Sequence, residues 1–220
     1  MPEFLFRPGY DERHRLLKIR RDVGEAGHIK KGIREPLLCS ECEAALNTQF
    51  EQPVHRLLYD PPLIPSVVTS ERFLLSGLDY ATFKLFHLSI LWRASVARHE
   101  LFRHVQLGPY EEVVRGMLRS RTPGPARQFQ IFGSVLVRTS ERLLCDGVIT
   151  QAIVTRLNSG PRVYWMVFGG ACWNYVVGSH PLPEAFPYSL SEAGTMELAV
   201  TDILDLKPFS KFMSEIRRPE

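Results

Sequence analysis

The chain lacks the features that mark secreted and membrane proteins. Its first fifteen residues have no apolar core of the kind that a signal peptide carries. Its longest apolar stretch falls well short of the roughly 20 residues that a membrane-spanning helix needs. Four cysteines occur in 220 residues, and their spacing is unlike a secreted disulfide framework. We therefore expect a cytoplasmic protein with reduced thiols and no membrane partner.

Common catalytic signatures are also missing. Gly169-Gly170 has neither the lysine nor the spacing of a phosphate-binding loop, and no Gly-x-Ser-x-Gly elbow occurs. His99 and His104 lie five residues apart, whereas two ligands on one helix face are four apart. His87 interrupts an apolar stretch and is predicted to be a core histidine. The sequence shows no pairing of nucleophile and base, so enzyme chemistry on small molecules is the least favoured class.

What is present suits a folded protein with a large core. The apolar share is 45% and the charged share 23%, both ordinary for a globular chain. Changes in composition divide it into a basic arm with a Cys-x-x-Cys knuckle at 1–66, a helical core at 67–122 and a β-rich half at 123–220. We expect the last two segments to form one compact unit.

The fold class follows from the periodicity of the apolar residues. From 76 to 104 they fall on nearly every side of a helical wheel, with Asp79 as N-cap, which predicts a buried helix. A second helix is predicted at 110–121, and four or five strands are predicted beyond 123, with a bulge or hairpin turn at Gly169-Gly170. The arm is predicted to be extended, with a short helix at 11–21. These elements predict an α+β fold, with buried central helices packed on a C-terminal antiparallel β-sheet.

The positive charge is concentrated in two stretches, although the net charge is only +3. Nine Lys or Arg residues stand against four acidic residues from Arg7 to Arg34, and seven Arg against three Glu from Arg93 to Arg127. Two interpretations stay open: a solvated surface, or one face that binds DNA or RNA. The candidate nucleic-acid-binding residues are Arg13, Arg15, Lys18, Arg20, Arg21, Lys30 and Lys31.

The sharpest local motif is the knuckle formed by Cys39 and Cys42. Two thiolates at this spacing can bind one tetrahedral Zn²⁺, which needs two more ligands. His55 follows Cys42 after twelve residues, the spacing of a zinc finger, so the candidate metal ligands are Cys39, Cys42 and His55. The alternative is a reduced pair packed under Leu37 and Leu38. A redox role is less favoured, because the strand that would precede the motif is only three residues long.

Two strings, KKGIREPLLCSECEAAL and LSILWRASVARHELFRHVQLG, resemble a family of uncharacterised bacterial proteins related to HNH-type endonucleases and zinc-ribbon proteins. The matching pieces are Pro2-Glu3-Phe4, the knuckle Cys39, Cys42 and Glu43, and the segment Leu88 to Arg93. The resemblance spans most of the chain. It implies a zinc knuckle and association with nucleic acid.

The departure from that family affects the chemistry. A first Cys-x-x-Cys and a Ser-His pair are absent, so half of the zinc ligands and the histidine expected to be catalytic are missing. HNH chemistry needs a histidine base and a separate metal ligand, and neither Asn47 nor His55 can do both. Two explanations stay open: the start codon was placed too far downstream, or this is a degenerate member of the family. In either case the chain as given is predicted not to cut DNA. The alternative function is a noncatalytic partner of another protein in a bacterial defence or toxin module.

Overall fold

The computed structural model describes residues 2–10, 12–20, 25–30, 33–60, 62–138, 140–156, 160–179, 182 and 188–206, with residues 16–20 and 25–30 described by their backbone. Its helices are α1 Ser40–Leu46, α2 Gln52–Tyr59, α3 Tyr80–Val96 and α4 Tyr110–Ser120. Its strands are β1 Arg15–Arg20, β2 Glu25–Lys30, β3 Arg72–Leu75, β4 Ile131–Arg138, β5 Leu143–Leu144, β6 Ile153–Arg156, β7 Arg162–Phe168, β8 Ala171–Val177 and β9 Met196–Asp202.

The predicted α+β class is confirmed, but the large sheet is mixed and not antiparallel. Its seven described strands run in the order β3-β9-β4-β8-β7-β6, with β5 paired to β4. β4 and β9 are parallel, as the register of Ser134 with Ala199 shows. A hairpin fixes two strands as antiparallel, whereas β9 follows β8 after a long connection that leaves its direction open. β3, from the helical segment, adds an edge strand beside β9.

The double glycine makes the tight turn that links β7 to β8. Gly169 and Gly170 have φ angles of +60° and +77° and lie between Phe168 and Ala171, which pair directly. Positive φ at both central residues is the geometry of a two-residue hairpin, and glycine adopts it without strain. Of the two predicted alternatives, the hairpin turn is therefore confirmed.

The basic arm contains strands where a short helix was predicted. β1 and β2 form an antiparallel two-stranded sheet of their own, with Arg15 opposite Lys30 and Arg20 opposite Glu25. The prediction of a helix at 11–21 was wrong because the few apolar residues there make no helical stripe, while a nearby second segment offers strand pairing. We call β1 and β2 the basic hairpin.

Helix α3 is the buried helix predicted from the sequence. The Oδ1 atom of Asp79 accepts a hydrogen bond of 2.6 Å from the backbone N–H of Thr82, which confirms the predicted N-cap. All residues from Phe83 to Leu91 are buried. The helix ends at Val96, and a short 3₁₀ turn at Glu100–Phe102 follows it. The predicted stretch to His104 is therefore divided in two.

His87 lies in the centre of the core and is bonded there, as predicted. Its Nδ1 atom is 3.0 Å from the hydroxyl of Tyr175, and its ring centroid is 4.4 Å from that of Trp173 and 4.7 Å from that of Phe83. Complete burial lowers the pKa of His87 from 6.5 to about 3, because the apolar surroundings disfavour the charged ring. The imidazole is therefore neutral in the folded protein.

We predict that His87 makes the free energy of unfolding depend on pH. Between pH 6.5 and about 3 the unfolded chain binds a proton that the folded protein does not, so stability falls as the pH falls. One such group contributes up to about 1.4 kcal/mol per pH unit. Urea unfolding of His87→Gln between pH 4 and pH 7 should give a flatter profile than wild type. Tyr175→Phe, which keeps His87 buried, should retain the slope; equal slopes in His87→Gln and wild type would contradict the assignment.

Candidate functional site

A continuous helical segment from Ser40 to Tyr59 forms one wall of a large cleft. A π-helical turn, Asn47–Glu51, joins α1 to α2, with the backbone N–H of Gln52 donating to the carbonyl of Asn47. Pro53 follows directly and lacks a backbone N–H. The wider turn lets the helix continue across this proline. Such turns occur often at functional sites.

Four polar residues line this wall at intervals of four: Glu43, Asn47, Glu51 and His55. In a regular α-helix, each step of four residues rotates the side-chain direction by about 40° around the helix axis. The π turn contains one more residue than an α-helical turn, which offsets part of this rotation. All four side chains therefore line the same cleft. The cleft has a volume of about 850 Å³. We call it the helix-lined cleft.

The opposite wall is formed by the N-terminal residues and the segment 33–38. Glu3 accepts hydrogen bonds from the Tyr10 hydroxyl at 2.7 Å and from Arg34 Nη2 at 3.1 Å. Burial, and then the Glu3 carboxylate, raise the pKa of Tyr10 to about 12. The Phe4 ring lies 4.9 Å from the His55 ring, centroid to centroid. The residues of this wall are thus hydrogen-bonded to one another, and Phe4 packs against His55 on the facing wall.

An ion pair in the floor of the cleft connects it to the core. Arg93 Nη2 lies 2.7 Å from Glu51 Oε1, and the two side chains are 4% and 9% exposed. Arg93 also donates to the carbonyl and hydroxyl of Ser89, at 3.2 and 3.0 Å. A buried charge is tolerated only where it is paired and hydrogen-bonded. Arg93 is therefore not part of a basic surface, contrary to its inclusion in the second basic stretch.

The fold brings the three pieces that carry the family resemblance close together. Glu3, Phe4 and Glu43 line the helix-lined cleft. Arg93, the last residue of the matching segment on α3, pairs with Glu51 in the same cleft. The sequence analysis missed Glu43, Asn47 and Glu51 as a group. Their spacing of four, continued by His55, was the signal that would have found them.

The knuckle cysteines lie at the beginning of α1, where both are exposed free thiols. They are not packed under Leu37 and Leu38, so that alternative is wrong. The backbone N–H and then the thiol of Cys42, hydrogen-bonded to the Cys39 sulfur, lower the pKa of Cys39. The same contact raises the pKa of Cys42. Cys39 is thus the thiol that ionises first, and a thiolate is the form that binds metal.

The predicted set of Cys39, Cys42 and His55 does not form one metal site. Cys42 and His55 are thirteen residues apart on one continuous helical segment, which places them roughly 20 Å apart along its axis. No group of three or more His, Cys, Asp or Glu side chains within the described ranges could hold a metal ion. In a zinc finger the chain turns back between the cysteine and histidine ligands. In this protein a helical segment connects Cys42 to His55 instead. Zinc bound by the two thiols with other donors stays a prediction.

The candidate nucleic-acid-binding residues are located mainly in the basic hairpin. Arg15, Lys18, Arg20 and Lys30 lie on its two strands, and exposed Arg13 precedes β1. The remaining two, Arg21 and Lys31, lie outside the described residues. Backbone pairing therefore gathers four of the seven on one two-stranded element.

The alternative function is docking of a protein partner. Exposed apolar side chains that could contact such a partner lie near the β3 edge of the large sheet. Leu74 is 65% exposed, and Val67 and Leu143, which form a β-bridge, are 48% and 41% exposed. Exposed apolar residues on an edge strand are a common feature of docking surfaces. This function stays a prediction.

No protein-family model, no curated protein and no solved structure matches this chain. The resemblance to HNH-related proteins therefore stays a prediction. None of the helices in the described part of the chain is long and apolar enough to cross a bilayer.

We predict that breaking the ion pair in the cleft floor destabilises the protein strongly. Glu51→Gln leaves the Arg93 charge buried without its partner and should lower the free energy of unfolding by about 3–5 kcal/mol. Glu141→Gln, which breaks the exposed pair with Arg138 at 3.0 Å, should cost less than about 1 kcal/mol. Urea unfolding at pH 7 measures both. The double variant Glu51→Gln/Arg93→Met should recover part of the loss; equal losses in the two single variants would contradict the buried pair.

Proposed function

We propose that this chain is a cytoplasmic, nucleic-acid-associated protein of HNH-like or zinc-ribbon descent that does not cut its ligand. In this proposal the basic hairpin contacts the phosphates of DNA or RNA. The observation that carries it is the folding of four predicted contact residues into one two-stranded element that is separate from the large sheet.

The distribution of charge supports the hairpin as the contact element. From Arg7 to Arg34 nine basic residues stand against four acidic ones, while the whole chain has a net charge of only +3. The rest of the chain is therefore slightly negative. A polyanion gains most of its electrostatic attraction where the positive charge is concentrated.

The shape of the hairpin supports the same proposal. Each strand has six residues, a length of roughly 20 Å. The major groove of DNA, about 12 Å wide, admits a two-stranded β-ribbon. Proteins of several kinds bind DNA through such ribbons.

The helix-lined cleft supports a noncatalytic role. An HNH reaction needs one side chain as base and another as metal ligand. His55 is the one histidine among the described residues that line the cleft, and its ring packs against Phe4. Glu51 is already engaged by Arg93. We infer that the cleft keeps the frame of the ancestral site without its chemistry.

We predict that removing charge from the hairpin weakens binding to nucleic acid. Lys18→Gln/Lys30→Gln should weaken binding of a duplex oligonucleotide by about tenfold. It should also reduce the slope of log K against log salt by about 2, because a protein that contacts fewer phosphates releases fewer counterions on binding. Fluorescence anisotropy between about 50 and 200 mM salt measures both quantities.

The matched control is Arg72→Gln/Arg138→Gln, which removes two positive charges from side chains that are 64% and 62% exposed on the large sheet. This variant should bind nearly as wild type does. The proposal fails if wild type shows no affinity at low salt, or if the hairpin variant loses no more affinity than the control.

We also propose that Cys39 and Cys42 hold zinc together with two further donors. Two adjacent exposed thiols, one with a lowered pKa, suit half of a tetrahedral site. Protein purified without chelator should contain zinc by mass spectrometry, and Cys39→Ser/Cys42→Ser should lose it. Cys145→Ser, which changes a cysteine of the β-rich half, should keep it. Zinc retained by the double variant, or absent from wild type, would refute the assignment.

A further inference from the structure

A second cleft, of about 540 Å³, lies where the β6–β7 hairpin meets the segment before α4. Its walls include Arg156 at the end of β6, Arg162 at the start of β7, and the turn at Gly108-Pro109. We call it the arginine cleft. It is separate from the helix-lined cleft, with which it shares no lining residue.

The two arginines stand directly opposite each other in the sheet register. Like charges at directly opposite positions destabilise a strand pair. No Asp or Glu lies among the described residues that line this cleft. The arrangement therefore leaves two guanidinium groups next to a cavity whose described lining contains no carboxylate, and an anion in the cavity would relieve their repulsion.

Arg162 is held in position by the opposite wall. Its Nη1 atom donates a hydrogen bond of 3.1 Å to the backbone carbonyl of Gln106. The same carbonyl accepts a hydrogen bond from the hydroxyl of Tyr164, which is 1% exposed. A guanidinium has five N–H donors, so one bond to a carbonyl fixes the group and leaves donors for a ligand. Such a preorganised group loses little entropy on binding.

Nearby carboxylates are occupied elsewhere. Glu111 and Glu112, in the first turn of α4, are the acidic residues adjacent in sequence to this wall. Glu111 accepts a hydrogen bond of 3.1 Å from the hydroxyl of Ser95, and Glu112 pairs with Arg115. Neither lines the arginine cleft. Arg156 and Arg162 are thus the charged side chains among the described residues that line the cleft.

We propose that Arg156 and Arg162 bind a phosphate group in this cleft. Paired guanidinium groups match the oxygens of phosphate, and Arg is the residue that binds phosphate in two-point contacts. The phosphate has two possible sources. One is a nucleic-acid backbone, and this source rests on the proposed function; the other is a small phosphorylated molecule. The site itself depends on the geometry of the cleft alone.

The first test uses pyrophosphate as the probe. Thermal unfolding of wild type with increasing pyrophosphate should show a rising midpoint, because a ligand that binds only the folded state stabilises it. Arg156→Gln/Arg162→Gln should show a clearly smaller rise, since the basic hairpin is unchanged in it, and Arg72→Gln/Arg138→Gln should rise as wild type does. Should the double variant not fold, Arg156→Gln keeps the Arg162–Gln106 bond and serves in its place. An equal rise in wild type and the Arg156 variants overturns the site, as does no rise in wild type.

The second test uses the duplex oligonucleotide and separates the two sources. If the phosphate comes from nucleic acid, Arg156→Gln/Arg162→Gln should bind about tenfold more weakly than the Arg72/Arg138 control, with a salt slope smaller by about 1. Oligonucleotide binding that is unchanged in this variant, together with a reduced pyrophosphate response, assigns the site to a small ligand and leaves the proposed function intact. A pyrophosphate response in a wild-type protein that does not bind oligonucleotide keeps the site and refutes the proposed function.

Discussion

The burial of α3 depends on partners inside the protein for its charged and ionisable side chains, Lys84, His87 and Arg93. Lys84 Nζ donates to the carbonyl of Pro125 at 2.7 Å, and His87 bonds to Tyr175 across the sheet. Burial lowers the pKa of Lys84 to about 8, and the charge of the Glu192 carboxylate opposes that shift. An unpaired polar group at any of these positions would cost as much as the helix gains from burying an apolar side chain. The helix and the sheet are thus fixed in register by polar contacts as well as by packing.

The last of these contacts joins the core to the surface. Arg93 reaches from α3 to Glu51 in the π turn, and Glu51 lines the helix-lined cleft. The shape of that cleft therefore depends on the same pairing that keeps the end of α3 buried. A change in the core at Arg93 would alter the cleft without touching a residue exposed in it, because the buried Glu51 carboxylate would lose its partner.

Local patterns in the sequence were enough for some elements and not for others. The cap at Asp79 and the turn at Gly169-Gly170 are each set by residues within four positions, so sequence alone predicted them. The direction of β9 and the distance from Cys42 to His55 depend on how distant segments lie in space. A finger spacing predicts a shared metal only if the chain turns between the ligands, and here a π turn extends the helix across Pro53. Opposed arginines such as Arg156 and Arg162 are visible only once the strand register is known.

The two clefts differ in the charge of the side chains that line them. Glu3, Glu35, Glu43 and Glu51 line the helix-lined cleft, and Arg7 and Arg34 are its basic lining residues. A phosphate backbone in that cleft would approach more carboxylates than guanidinium groups, and at close range such repulsion exceeds the attraction of distant charges screened by salt. The carboxylates of the helix-lined cleft therefore disfavour a phosphate group there. If the helix-lined cleft once held a nucleic acid, the pairing of its carboxylates with Tyr10, Arg34 and Arg93 now uses those groups for stability.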